Sequence, residues 1–418
     1  MLDIGPIHRR EYELEAVRPI PLRRPGDSEK KSLSGKAGSG DKTGRSGADN
    51  PVVIAEAPGR VHFLGEHGDP SAGLYLSAAI DCCVKTAVSA RKDNSLRFYA
   101  ADLGERKRST LVNLKFKRED RWANYIKTAI HVFVELGVPL KGMDFTIAGN
   151  IPHQIGLASS SAIEVASAVA LRGFLRVKIG DRELVQRLSA AHELFFGKSA
   201  NPVDYIIALA AKKDQFLVVD ESSMEVTRIK SPFSDCRFIL MDSRVPRLGV
   251  ESELENRRND VKTALEMLAQ GREGACFREF AAMDIMESMG NLPEVIRRRS
   301  LHVVQEIRRI QDAKDCLLCA DLAGFARLVF HSHEGLRDLY EVSCPEIDWM
   351  VKRAQETDGV LGARMTGQGF GGCTYTIVRN EALGEFRSRI DDYERIFGFR
   401  PAIYEMKLST GSHIIKNA

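Results

Sequence analysis

Apolar positions recur at helical spacing across residues 159–174, where Ile163, Ala166, Val169, Ala170 and Phe174 follow directly on a loop rich in Gly and Ser. The spacing predicts further helices over 184–196, 249–268 and 294–317. Short runs of β-branched and aromatic residues predict strands over 52–55, 145–148, 215–220, 238–241, 373–378 and 402–407. Ala57-Pro58-Gly59 reads as a turn, since Pro and Gly together usually end a strand. Strand runs mixed with helix runs, without regular βαβ alternation, predict an α+β chain of two domains. No internal repeat is visible.

One stretch breaks the pattern. Residues 25–50 hold six Gly, five Ser, five Lys or Arg and a single large apolar residue, Leu33. Such a segment cannot offset its ordering entropy by burial, so residues 1–50 are expected to form an extension ending in a flexible linker. The GSGDKTG within it fits no register of the phosphate-loop pattern.

Composition narrows the function classes. The 418 residues suffice for about two to three domains. Sixty basic residues against 57 acidic ones give a net charge of +3, so no global basicity points to nucleic acid. No apolar run reaches the length of a membrane span and the N-terminus has no contiguous apolar signal region, so neither membrane nor nucleic acid is expected as a partner. Eight cysteines in so long a chain do not make a disulfide framework, and a cytoplasmic setting is expected.

Three separated segments carry chemistry. Ala57-Pro-Gly-Arg-Val-His-Phe-Leu-Gly-Glu-His-Gly-Asp69 places Glu66, His67 and Asp69 in a Gly-bounded loop, where carboxylates can accept hydrogen bonds from a polyhydroxylated ligand. Pro152-His-Gln-Ile-Gly-Leu-Ala-Ser-Ser-Ser-Ala162 precedes the first helix above; its small residues allow close backbone approach to a polyphosphate at a helix start. Gly362-Ala-Arg-Met-Thr-Gly-Gln-Gly-Phe-Gly-Gly-Cys373 holds Gly367, Gly369, Gly371 and Gly372, which cost backbone entropy unless a tight loop or a close ligand needs them. Taken singly, each has a bland reading as a charged turn, a helix cap or a loop.

Together the three segments resemble those of galactokinases in the GHMP small-molecule kinase superfamily: a galactose signature, a phosphate loop and a C-terminal glycine motif. Residues 332–348, residues 122–127 and the pair Arg257-Arg258 fit the same family, and the likeness runs from about residue 51 onward. It implies a two-lobed α+β fold with a ribosomal-protein-like N-terminal lobe over 51–231 and a ferredoxin-like C-terminal lobe over 232–418. It implies transfer of the ATP γ-phosphoryl group to the C1 hydroxyl of a galactose-type sugar, with Mg²⁺ as cofactor, by a monomer or weak dimer. Arg60 and Asp204 fall on the family's catalytic arginine and aspartate, and Asp204 is either a base or an electrostatic anchor. Glu66 and Asp69 would bind the sugar with His67 supporting their loop, and Gly369 and Gly371 would shape the cleft. Gly156, Leu157, Ala158, Ser159, Ser160 and Ser161 would hold the triphosphate, and Ser160 would ligate the metal.

The departures gather around sugar and metal. His62 stands for an asparagine, Gly68-Asp69-Pro70 for Thr-Asp-Tyr, Tyr205 for a glutamine and Leu254 for a tyrosine expected at the sugar. His192 stands where the metal-binding glutamate is expected; neutral imidazole suits hard Mg²⁺ poorly, so either Glu193 beside it takes over as ligand through a local shift or metal binding is weaker. Glu66 should repel a uronic acid, so a neutral hexose, an amino sugar or L-arabinose is expected; the alternative is a degenerate kinase that binds sugar and ATP as a regulator.

Overall fold

The computed structural model describes residues 52–68, 73–152, 155–247, 249–272 and 275–417. The extension and linker expected over 1–50, together with Asp69 and Pro70, lie outside the described residues.

The strands are β1 (Val52–Leu64), β2 (Leu74–Ala90), β3 (Ser95–Ala100), β4 (Glu105–Thr110), β5 (Met143–Gly149), β6 (Gln215–Asp220), β7 (Glu225–Lys230), β8 (Cys236–Asp242), β9 (Val360–Thr366), β10 (Cys373–Arg379), β11 (Ala402–Met406) and β12 (His413–Asn417). One sheet runs β12-β1-β2-β5-β3-β4, with β6 paired to the start of β2 and β7 to β6. A second, antiparallel sheet runs β11-β8-β10-β9. The helices are α1 (Ala123–Glu135), α2 (Ser159–Phe174), α3 (Asp181–Phe196), α4 (Pro202–Ala210), α5 (Glu251–Ala269), α6 (Ala282–Glu287), α7 (Glu294–Cys319), α8 (Leu322–Glu334), α9 (Pro345–Gln355), α10 (Leu383–Ile390) and α11 (Asp392–Phe397). The mixed two-sheet architecture is the α+β class expected. All eight cysteines are free, and among the described residues no helix is long and apolar enough to cross a membrane.

Helix α2 is buried along nearly its whole length from Ser161 to Leu171, and it packs against β1, β2 and α1. Ala162, Ala166, Ala168 and Ala170 keep its girth small, so its axis can approach the sheet while Val165, Val169 and Leu171 fill the core. The two sheets are joined by aromatic packing. Phe63 of β1 meets Phe216 of β6 at 4.9 Å and Tyr375 of β10 at 4.7 Å between ring centroids, and the Tyr375 hydroxyl donates to the Phe63 carbonyl at 2.7 Å.

Two expectations are corrected. The turn at Ala57-Pro58-Gly59 is absent, because β1 runs through it as one thirteen-residue strand. A register shift between Pro58 and Arg60 accommodates the proline, which has no N–H to give. The segment 232–418 does not remain in one lobe, because β12 returns to pair with β1. β12 covers the outer edge of β1 from Val53 to Glu56, where main-chain groups would otherwise stand unpaired.

Candidate active site

The site forms where β1, the loop into α2, the start of α4 and the β9–β10 loop converge. Asp204 sits in the first turn of α4, whose N-cap Asn201 accepts from the Val203 N–H at 2.9 Å and whose first residue is Pro202. Arg60, on β1, grips it with both arms of the fork: Nε donates to Oδ1 at 2.6 Å and Nη2 to Oδ2 at 3.2 Å. Its third nitrogen, Nη1, donates to the Gly156 carbonyl at 2.5 Å, which ties the carboxylate to the phosphate loop. His62, two residues along β1, has Nε2 facing Asp204 Oδ1 at 3.4 Å; an ionised carboxylate only accepts, which assigns the proton to Nε2 and leaves Nδ1 to accept from the Ser77 hydroxyl at 2.7 Å. Ser161, at the start of α2, reaches Asp204 Oδ2 at 3.5 Å.

Electrostatics fix the protonation states. Burial alone would raise the Asp204 carboxyl, but the Arg60 guanidinium and the His62 hydrogen bond outweigh it and hold the group down at about 2. Burial, helped by Arg60, pushes His62 down to about 4, so its ring is neutral. A carboxylate so acidic is a weak proton acceptor and a firm anchor.

The phosphate loop is shaped by contact with the other motifs. Leu157 is buried, and its carbonyl accepts from the Arg60 N–H at 3.2 Å. Ala158 is left-handed (φ 57°) and turns the chain into α2, whose opening amides at Ser159, Ser160 and Ser161 have no preceding helical carbonyl to bond. Gly156 and Gly367 face each other with positive φ of 88° each; a Cβ on Gly156 would lie 3.0 Å from the Gly367 Cα. Two glycine motifs 211 residues apart thus meet backbone to backbone. Gly369 and Gly371 abut protein, as a Cβ there would strike the Val342 carbonyl at 2.4 Å or Val245 at 2.8 Å.

Glu66 is placed differently from the expectation of a sugar ligand. Its carboxylate accepts from Arg364 Nη1 at 3.1 Å, from the Thr366 hydroxyl at 3.4 Å and from the Gly367 N–H. Arg364, fully buried on β9, also donates to Ser332 at 2.9 Å and lies 3.7 Å from Glu306 Oε1. Glu306 in turn accepts from Ser332 at 2.7 Å and from the Gly65 N–H at 3.0 Å. Burial lifts the Glu66 carboxyl above its ordinary value in spite of Arg364 and Arg60. Glu66 therefore locks the first segment to the third, and with Arg364 beside it the argument from repulsion of a uronic acid lapses. His67 is left-handed (φ 59°), with its ring 5.1 Å from that of Tyr340 and its buried Nε2 without a partner. Leu254 lies in the apolar cluster of α5 and α7 with Val303 and Tyr340.

The metal expectation is also corrected. Glu193 lies on the exposed face of α3, because one residue of helix rotates a side chain by about 100° away from its neighbour's direction. The inward position belongs to His192, whose Nδ1 is 2.8 Å from Glu164 Oε1; the Tyr205 hydroxyl donates to Glu164 Oε2 at 2.6 Å. Ser160 is half-buried at the loop and keeps its hydroxyl unengaged by protein.

Comparison with known proteins places this geometry. Residues 43–90 match the galactokinase galactose-binding signature, 124–212 the GHMP kinases N-terminal domain and 312–393 the GHMP kinases C-terminal domain. A putative galactokinase of Treponema pallidum is 36% identical over 372 residues, covering 88% of this chain and 94% of that one. The chain belongs to the galactokinase family. A galactokinase of Roseiflexus is 34% identical, covering 88% of this chain and 95% of that one. The crystal structure of Lactococcus lactis galactokinase complexed with galactose superposes with a TM-score of 0.81 at 27% identity, covering 87% and 95% of the two chains. The Methanococcus jannaschii mevalonate kinase, at 18% identity and a TM-score of 0.60 over 87% and 100%, shares the fold.

Within this galactokinase-family chain, sequence reasoning missed Arg364 and Glu306 altogether. The available signal was a charged residue between apolar ones on the strand leading into the glycine motif. It also missed the links of His192 and Tyr205 to Glu164, although it had marked both residues as departures.

Proposed function

We propose that the chain transfers the γ-phosphoryl group of ATP to the C1 hydroxyl of galactose or a closely related sugar. The observation that carries this reading is the bidentate Arg60–Asp204 pair, bonded through Arg60 to the phosphate loop at Gly156. The opening amides of α2 and its positive dipole end suit a polyphosphate at Ser159, Ser160 and Ser161. Phosphoryl transfer passes through a loose transition state, so alignment and charge stabilisation supply most of the catalysis. Asp204, held ionised, accepts a hydrogen bond from the attacking hydroxyl and points its oxygen at phosphorus. Its low proton affinity favours the anchor role over that of a base, with the hydroxyl proton passing late, as the O–P bond forms and the bond to ADP breaks, to an oxygen of the transferred phosphoryl group and from there to solvent. His67 Nε2, buried and unpaired, suits a sugar hydroxyl, and we keep Asp69 as a further sugar ligand on the strength of the motif.

The family implies Mg²⁺ with ATP, and the donor set here fits such a cation poorly. Ser160 offers one hydroxyl, and among the described residues the carboxylates nearest the loop, Asp204 and Glu164, are engaged by protein partners. A second substrate reading, another neutral hexose or an amino sugar, is supported by Leu254 and by the engagement of Glu66 with Arg364. ADP release measured across a panel of monosaccharides separates these, with Asp204→Asn as control. Turnover on galactose that falls by about 100-fold or more in the variant supports the reading. Equal turnover in both proteins overturns the role of Asp204, and saturable sugar binding without turnover overturns the kinase reading.

A further inference from the structure

We propose that His62 is a positioning residue that decides which oxygen of Asp204 receives the attacking hydroxyl. The inference rests on the phosphoryl-transfer reading above and deepens it.

An ionised carboxylate offers about four acceptor directions, two on each oxygen. The Arg60 fork takes one on each, through Nε on Oδ1 and Nη2 on Oδ2. Of the two that remain, His62 Nε2 faces Oδ1 at 3.4 Å and the Ser161 hydroxyl faces Oδ2 at 3.5 Å. These two neighbours differ in freedom. A serine hydroxyl rotates, so Ser161 gives way to a better-placed donor. His62 is fixed. Alternation along β1 puts it on the same face as Arg60, and the β1–β2 register sets it opposite Ser77, whose fully buried hydroxyl donates to Nδ1 at 2.7 Å. The Tyr75 ring packs beside the imidazole at 5.0 Å between centroids. The incoming hydroxyl therefore finds Oδ1 closed and Oδ2 open.

The N–H at Nε2 carries a second argument. It is buried with no other partner, yet its contact with Oδ1 is long for a hydrogen bond. A buried donor held short of full engagement costs stability and calls for a reason. Here the reason is the reaction, since hydrogen bonds at a catalytic group often tighten only in the loaded complex. Burial first, then Arg60 and Arg364, push the ring down to about 4 against the pull of Asp204, so it is neutral with one N–H to give. The asparagine that the resemblance places at this position would set its amide where Nδ1 lies and stop short of Asp204. The contact belongs to the longer imidazole.

The test is steady-state kinetics of the full-length protein on galactose, or on the sugar of the panel that turns over fastest, with the 1-deoxy analogue of that sugar as inhibitor. His62→Leu and His62→Asn leave Oδ1 open, so kcat should fall about tenfold or more while KM for sugar stays within about twofold. The analogue lacks the reacting hydroxyl, so its inhibition constant should match wild type in every variant. His62→Gln carries an N–H to the place of Nε2 and should restore kcat to within about threefold of wild type. A fall in kcat shared by His62→Gln, or one accompanied by weaker binding of the analogue, marks a packing role and overturns the inference alone. Full activity in His62→Leu does the same. A wild type that turns over no sugar of the panel overturns the phosphoryl-transfer reading and the inference with it. Should the variants fail to fold, the imidazole nitrogen NMR shifts of the wild type decide: a protonated Nε2 and a bare Nδ1 are expected, and the reverse tautomer overturns the proposal.

Discussion

Replacing Arg364 by Met removes the charge at the centre of the buried network while keeping the side-chain volume nearly constant. Arg364 is fully buried and serves Glu66 at 3.1 Å, Ser332 at 2.9 Å and Glu306 at 3.7 Å. Breaking a buried ion pair by removing one partner costs about 3–5 kcal/mol, since the other charge stays uncompensated. Glu306 retains Arg309 at 3.1 Å, so the larger share of the loss falls on Glu66. Glu66 has an escape: burial already raises its carboxyl, and without Arg364 it takes up a proton. Protonation becomes easier as pH falls, so the destabilisation should shrink by up to about 1.4 kcal/mol per pH unit between pH 7 and 5. Urea unfolding at several pH values, followed by tryptophan fluorescence and by circular dichroism, gives the number. The double variant Glu66→Gln/Arg364→Met should recover a large part of the loss, because it buries no orphan charge. A cost below about 1 kcal/mol at pH 7, or one independent of pH, refutes the reasoning.

Arg60→Lys loses the fork and the tie to Gly156, so kcat should fall about 100-fold with little change in KM for sugar. Its acid limb in a kcat/KM–pH profile should move upward from the region of pH 2, because Asp204 loses the group that holds it ionised. Gly156→Ala puts a Cβ 3.0 Å from the Gly367 Cα at φ 88°; KM for ATP should rise about tenfold, measured by steady-state kinetics, while secondary structure by circular dichroism is retained. His62 and His302 are buried neutral, pushed to about 4 and about 3 chiefly by desolvation, with Arg60 adding to the first and Arg309 and Arg364 opposing Glu306 at the second. The unfolded chain binds these protons near pH 6.5, so the stability they confer is complete above that value and is lost as pH falls toward 4 and 3. His302→Leu should flatten the slope of unfolding free energy against pH over pH 4–6.

The core elements were legible where one period dominates. Residues 159–174 read as a helix because small and branched apolar residues recur every three or four positions, and α2 spans the same residues. The runs at 215–220 and 373–378 read as strands for the corresponding reason. Strand β2 was missed because Asp81, Cys82 and Cys83 interrupt its alternation, at the place where the pairing with β1 shifts register. The false turn at 57–59 came from weighing Pro and Gly as local punctuation, when a partner strand and the Leu157 carbonyl decide the conformation there. Arg60 and Asp204 were found through resemblance, as 144 residues separate them and no local pattern joins them. Of the two alternatives for the metal position, the outward turn of Glu193 on α3 disfavours Glu193 as a ligand, because one residue of helical rotation separates it from the inward His192. Arg364 and Glu306 stayed hidden because pairing of buried charges is decided wholly by tertiary contacts.

The return of β12 to β1 has a consequence for biosynthesis. The strand bearing Arg60 leaves the ribosome about 350 residues before its outer neighbour, a wait of about 20–70 s at ordinary translation speeds. Throughout that interval the Val53–Glu56 edge of β1 is bare on one flank, open to nascent copies on adjacent ribosomes of the same message. Slowed elongation downstream of β1 should therefore raise the share of insoluble product, and a chaperone that shields extended segments should lower it.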